Sequence, residues 1–194
     1  MTVESNPNQS SNEVLIRVQA TPNPCAWKFV LDRPVLTEGK ASYSNIQEAA
    51  MNNLASSLFQ IDGVRQVHFF QNVITVTHSF DVEADDVQKK VCAVIQTRMA
   101  THNPNQTVND EKKMARQNLS PELQRIEEIL DHTVRPGLQG DGGDLEILKY
   151  DNNKLYVAYQ GACGTCPSAT SGTLMAIEGI LKDEFNPEIE VIPV

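Results

Sequence analysis

Two thiols three residues apart, Cys163 and Cys166, sit in the run Gly-Ala-Cys-Gly-Thr-Cys-Pro-Ser. A strand-like stretch, Leu155 to Gly161, precedes them and a helix-like one, Ser168 to Glu184, follows. The thiolate, not the thiol, ligates soft metals and attacks disulfides. Pro167 and Ser168 mark a first helical turn, so Cys166 falls beside the N-cap, where unpaired amides and the helix dipole favour negative charge. Gly161 and Gly164 permit tight backbone paths that bring amides up to sulfur, and N–H···S contacts of that kind stabilise cluster thiolates. A soft metal centre ordinarily takes four protein ligands, and this motif brings two. Either the pair does redox chemistry alone, or two copies of the chain pool their thiolates around one shared centre.

Read alone, the spacing leaves several chemistries open. A thioredoxin-like dithiol uses the same order of strand, C-x-x-C and helix, but here the motif follows a hairpin and only one helix and one strand remain after it. Zinc needs two further ligands, and His132 lies beyond a helix and a Gly-rich loop. Simple packing of the pair is disfavoured by the Gly and Thr between the cysteines. The other candidates read as ordinary residues. Cys25 stands in a Pro-rich turn as a bystander, Cys92 on a helix as a small core residue, and His68, His78, His102 and His132 are scattered. Asp141 and Asp144 lack the spacing of a calcium loop, which leaves backbone turning and helix-end hydrogen bonding as their roles. Trp27 reads as core. No phosphate-cradling loop or catalytic triad is visible, and the chain is expected not to be an enzyme.

The elements around these residues divide the 194-residue chain in two. Residues 1–12 are polar and form an expected disordered tail without the marks of a signal or transit peptide. Residues 13–100 form a first domain. Val14 to Ala20 and Ala26 to Leu31 read as strands, and Val64 to Phe70 with Val73 to Thr77 as a hairpin. Ser44 and Gln47 resemble a capping box opening a helix through Ile46, Ala50, Leu54 and Leu58. Ala84 to Ala100 is a second helix with Val87, Val91, Val94 and Ile95 inward. Residues 101–118 carry Pro104 and no apolar period, and read as a flexible linker. Residues 119–194 form a second domain in the order α-β-β-α-β. Ser120 caps a helix that Pro136-Gly137 ends, Gly140 to Asp144 is a loop, Leu145 to Tyr150 and Leu155 to Tyr159 are strands, and Glu188 to Val194 is a last strand. The fold class is α+β, with two small α/β sandwiches on a tether.

Charge and hydropathy bound the partners. The net charge is −9, and residues 119–194 hold 5 Lys and Arg against 13 Asp and Glu. An acidic domain without a basic stripe argues against nucleic acid. No run approaches the roughly 18 apolar residues of a membrane span. Four cysteines, two of them isolated, suit a reducing compartment and point to the cytoplasm.

The joint pattern Gly140-Asp141-Gly142-Gly143-Asp144-Leu145-Glu146, then a hairpin, then Gly161-Ala162-Cys163-Gly164-Thr165-Cys166-Pro167-Ser168, with Thr173-Leu174 and Ile177-Glu178 beyond, resembles the NifU-like C-terminal domain. The first segment resembles the Nfu N-terminal domain through Thr21-Pro22-Asn23-Pro24, Lys28-Phe29, Gly63-Val64 and Val73-Ile74-Thr75-Val76. The resemblance implies an Nfu-type iron–sulfur scaffold or carrier. In that reading a homodimer bridges a 4Fe–4S cluster, with 2Fe–2S as the other option, through Cys163 and Cys166 of each subunit. An upstream donor would load the cluster, and apo iron–sulfur acceptors would receive it by thiolate exchange. The alternative is a thiol–disulfide oxidoreductase using the same pair.

Overall fold

The computed structural model describes residues 13–105, 120–163 and 167–194, the stretch 167–171 by its backbone alone. The expected tail and residues 106–118 of the expected linker lie outside the described residues.

The first domain is a five-stranded antiparallel sheet in the order β1-β2-β5-β4-β3. Its strands are β1 (Ile16–Ala20), β2 (Ala26–Leu31), β3 (Lys40–Tyr43), β4 (Val64–Phe70) and β5 (Val73–His78). Two helices, α1 (Asn53–Phe59) and α2 (Ala84–Arg98), cover one face. Side chains alternate across a strand. Phe29, Leu31, Val67, Phe69, Ile74 and Val76 therefore point to the helices, where they pack on Leu54, Leu58, Val87, Val91 and Ile95. Each such side chain contributes about 1.5–3 kcal/mol by leaving water.

The first helix departs from its sequence reading. Ile46 is 41 % exposed and Ala50 is exposed, whereas Ala49 is buried, so the fourfold period does not hold at its start. Asn45, not Ser44, takes the capping role: its Oδ1 accepts from Glu48 N at 2.9 Å and its Nδ2 donates to Glu48 Oε1 at 2.8 Å. Turns follow, and α1 begins only after Asn52, whose Oδ1 accepts from Ala55 N at 3.0 Å. Strand β3 was not foreseen because its alternation runs over only four residues, Lys-Ala-Ser-Tyr, too short a stretch to be read. At the far end of α2, His102 Nε2 lies 2.7 Å from Val35 O and Pro104 O accepts from Thr37 N at 3.0 Å.

The second domain packs a three-stranded sheet, β6-β7-β8, on its helices. Its helices are α3 (Pro121–Thr133), α4 (Arg135–Gly140) and α5 (Pro167–Glu184). Its strands are β6 (Gly143–Asp151), β7 (Lys154–Gly161) and β8 (Glu190–Pro193). β7 is central, antiparallel to β6 and parallel to β8. Ile126, Leu130, Leu145, Leu155, Val157, Ile177 and Leu181 form the core. Asn152 and Asn153, with φ of 49° and 61°, turn β6 into β7 through the left-handed region that the twist of a two-residue hairpin requires. Pro136 does not end the helical path as the sequence suggested. It sits in the first turn of α4, where its missing N–H costs nothing. Gly140 consequently belongs to α4, and Gly143 and Asp144 already belong to β6. Among the described residues, no helix is long and apolar enough to cross a membrane.

Candidate metal centre

Cys163 stands two residues beyond the end of β7, so the central strand of the second sheet delivers it. It is 8 % exposed and packs against the second core. Cys166 lies outside the described residues. The Gly-Asp run makes the space for Cys163. A methyl group on Gly143 would collide with Cys163 Sγ and lie 3.1 Å from both its Cβ and its amide nitrogen. Gly161, paired with Gly143 across the ladder, has φ +63°, and a side chain there would lie 2.5 Å from Gly142 O. The two glycines let the segment after β7 fold back across the start of β6, where Ala162 N donates to Gly142 O at 3.2 Å.

Tyr159, on β7, has its hydroxyl buried without a hydrogen-bond partner among the described residues. Burial and then the charge of Cys163 push its phenol up to about 12. A tyrosine that stays protonated beside a thiolate adds no competing negative charge to it.

Asp144 is the carboxylate on which the loop turns. It is fully buried, and its Oδ1 accepts from Leu145 N at 2.7 Å. Its Oδ2 lies 2.8 Å from Lys40 Nζ, and its Oδ1 lies 3.4 Å from Arg135 Nε. Burial alone would raise this carboxyl. The Lys40 ammonium, with help from Leu145 N–H and Gln139, outweighs burial and holds it below the ordinary carboxylate value. Arg135 is itself buried and is held by Glu127 at 2.5 Å and by Asp131. The backbone and helix-end roles expected of this loop are therefore joined by a charge network that reaches into the other domain. Asp141, at the exposed end of α4, takes no part in it.

The sequence candidates Cys25, Cys92, Trp27 and His68 lie on the first domain, with the turn that holds Cys25 bonded through Asn23 to Ala162. Cys25 is half-buried in an Asx turn, its N–H donating to Asn23 Oδ1 at 2.9 Å. Cys92 is half-buried on α2, where burial pushes its thiol up. Trp27 packs at the edge of the first core. His68 was not singled out by the sequence and proves to be buried on β4, at the seam between the domains. Among the described residues, no three His, Cys, Asp or Glu side chains gather closely enough to hold a metal ion.

Comparison with known proteins places these elements. Residues 126–192 match the family described as the NifU-like domain, and residues 16–102 match the one described as scaffold protein Nfu/NifU N terminal. The chain is 32 % identical over 174 residues to NifU-like protein 4, mitochondrial, of Arabidopsis thaliana, covering 87 % of this chain and 62 % of that protein. It is 30 % identical over 182 residues to the NFU1 iron-sulfur cluster scaffold homolog, mitochondrial, of Drosophila willistoni, covering 92 % of this chain and 63 % of that protein. The chain thus spans less than two thirds of the length of these relatives. A solution structure of a NifU-like protein from Saccharomyces cerevisiae overlaps 56 % of this chain and 97 % of its own, at 19 % identity and a TM-score of 0.45. With the Nfu/NifU N-terminal unit and the NifU-like unit following one another along it, the chain belongs to the Nfu/NifU scaffold-protein family.

Proposed function

We propose that this protein is an iron–sulfur cluster scaffold or carrier rather than an enzyme. Cys163 and Cys166 of each of two copies hold one 4Fe–4S cluster between them. The single observation that carries the reading is the delivery of Cys163 by the central strand into a space that Gly143 leaves clear. The name of the Drosophila relative, an iron-sulfur cluster scaffold homolog, supports the same role. Two thiolates per chain fill half of a four-thiolate shell, and a second copy supplies the rest.

The cluster is cargo here. An acceptor thiol loses its proton, its sulfur bonds to an iron, and the bond from that iron to Cys163 or Cys166 breaks, the departing thiolate taking up a proton. No net oxidation or reduction occurs, and repetition moves the cluster stepwise to the acceptor. A reducing cytoplasm suits reduced thiols, and fractionation of cells producing the full chain tests that placement; the Arabidopsis and Drosophila relatives are named as mitochondrial proteins.

Anaerobic reconstitution with iron and sulfide, followed by metal content and mass, tests the core of the proposal. Cys163→Ser and Cys166→Ser lose cluster uptake, whereas Cys25→Ser and Cys92→Ser retain it. A chain that instead forms an internal Cys163–Cys166 disulfide, reduces protein disulfides and holds no iron would be an oxidoreductase.

A further inference from the structure

The helix-free face of the first sheet is covered by the second domain, and its composition is unusual for a covered face. Lys28, Lys40, Ser42, His68, Thr75 and Thr77 point that way, opposite to the Phe29, Val67, Phe69, Ile74 and Val76 face. His68 is 1 % exposed, and Thr75 and Thr77 are fully buried. Permanent interiors are apolar, whereas surfaces that part and meet again stay polar enough to be wetted.

The contacts converge on the cysteine end of the second domain. Asn23 Nδ2 donates to Ala162 O at 2.9 Å, next to Cys163, and Thr77 Oγ1 donates to Gly161 O at 3.3 Å. Lys28 Nζ donates to Gly140 O at 2.5 Å and Lys40 Nζ to Leu145 O at 2.9 Å. Thr75 Oγ1 sits over Gly142, 2.9 Å from where a methyl group would stand. Ser42 Oγ donates to Gln160 Oε1 at 2.9 Å, and Gln160 Nε2 donates to Glu146 Oε2 at 2.6 Å. The Lys40–Asp144 pair closes the seam.

We propose that the first domain is a cap whose polar sheet face docks on the Gly-Asp loop and on the residues leading into Cys163. The Lys40–Asp144 pair is its latch, and the cap lifts when the loop is needed. For a chain that shares a cluster with a second copy, as proposed above, the closed form is the resting form. The cap itself is defined on the cluster-free chain, so it stands or falls separately from that reading.

The test is alkylation of Cys163 in the reduced, cluster-free full chain, read peptide by peptide by mass spectrometry with Cys92 as internal reference. Two variants open the seam by different routes. Lys40→Met removes the latch, and Thr75→Lys forces bulk onto Gly142 from a position that does not face the first domain's own core. Each is expected to speed Cys163 modification at least about tenfold, on the scale set by removing one partner of a buried pair, with far-ultraviolet circular dichroism and the Cys92 rate unchanged. Wild-type Cys163 reacting as fast as in a denatured chain, or neither variant changing its rate, would overturn the cap. Variants that accelerate Cys92 equally would show global unfolding instead of lifting, and would also overturn it. Reconstitution of the same variants separates the two proposals: faster alkylation without any cluster uptake keeps the cap and removes the carrier, and the reverse pattern does the opposite.

Discussion

A methyl group on Gly143 would meet the sulfur, the Cβ and the amide of Cys163 at once, and the amide belongs to backbone that has little room to yield. Gly143→Ala is therefore expected to cost about 1–3 kcal/mol, the usual range for overpacking, and to lower iron and sulfide bound per chain. Urea unfolding and anaerobic reconstitution measure the two effects, and full uptake at wild-type stability would show that the loop can shift. Asp144 is a second single-residue dependence. Asp144→Asn leaves Lys40 and Arg135 without their shared carboxylate in a buried place, so a loss of about 3–5 kcal/mol is expected in the same unfolding experiment. The thiol pair was legible in the sequence because its spacing is local. The roles of Asp144 and His68 were not, since what surrounds them comes from distant parts of the chain; Lys40 and Leu145, which meet at the seam, are 105 positions apart.

At the scale of elements, local chemistry decided what could be read. The strands with clean alternation, β2, β4 and β5, fall where their patterns put them, and Ser120 caps α3 as expected, accepting from Leu123 N at 3.3 Å. Two misreadings have one cause. At Ser44 the start signal falls eight residues ahead of the cap that opens α1, and at Pro136 the stop signal falls about a turn early, because a local start or stop signal is ambiguous until tertiary contacts choose. Asn52 wins partly through its second bond, from Nδ2 to Tyr43 OH at 3.2 Å. Asn52→Ala is accordingly expected to cost about 1 kcal/mol for the lost cap, with some further loss from the tyrosine hydroxyl, measured by chemical denaturation. In the β6–β7 turn, Asn152→Ala keeps a Cβ in the left-handed region but loses the short amide that eases asparagine there, and is expected to cost about 1 kcal/mol. Asn152→Gly is expected to be neutral there, and equal losses for both would show that the turn is not under conformational control.

The whole molecule responds to pH through the seam. His68 Nδ1 lies 2.7 Å from Ser42 Oγ, whose own hydrogen goes to Gln160, so Nδ1 carries the proton and Nε2 is left without a partner among the described residues. Burial lowers this imidazole to about 4; Asp144 of β6 pulls it up and Lys40 of β3 pushes it down. Glu146, also on β6, reaches the group through Gln160. A histidine held neutral by the closed form contributes its full stability above the ordinary value of 6.5, and loses it as pH falls through the window down to about 4. The change is on the order of 3 kcal/mol. Asp144 acts with the same sign at lower pH, since its carboxyl must be protonated against Lys40. Acidification from neutral pH is therefore expected to lower the urea midpoint and to enlarge the radius seen by small-angle scattering, with His68→Gln flattening both slopes; parallel slopes in the variant would remove His68 as the cause. The seam has one more consequence. Four of the cap's grips close on carbonyl oxygens of the main chain, at Gly140, Leu145, Gly161 and Ala162. Those four grips on peptide oxygens are blind to the side chains beyond them, so a foreign cysteine domain with the same backbone path, grafted behind this first domain, would need to keep little more than the carboxylate of Asp144 to be recognised.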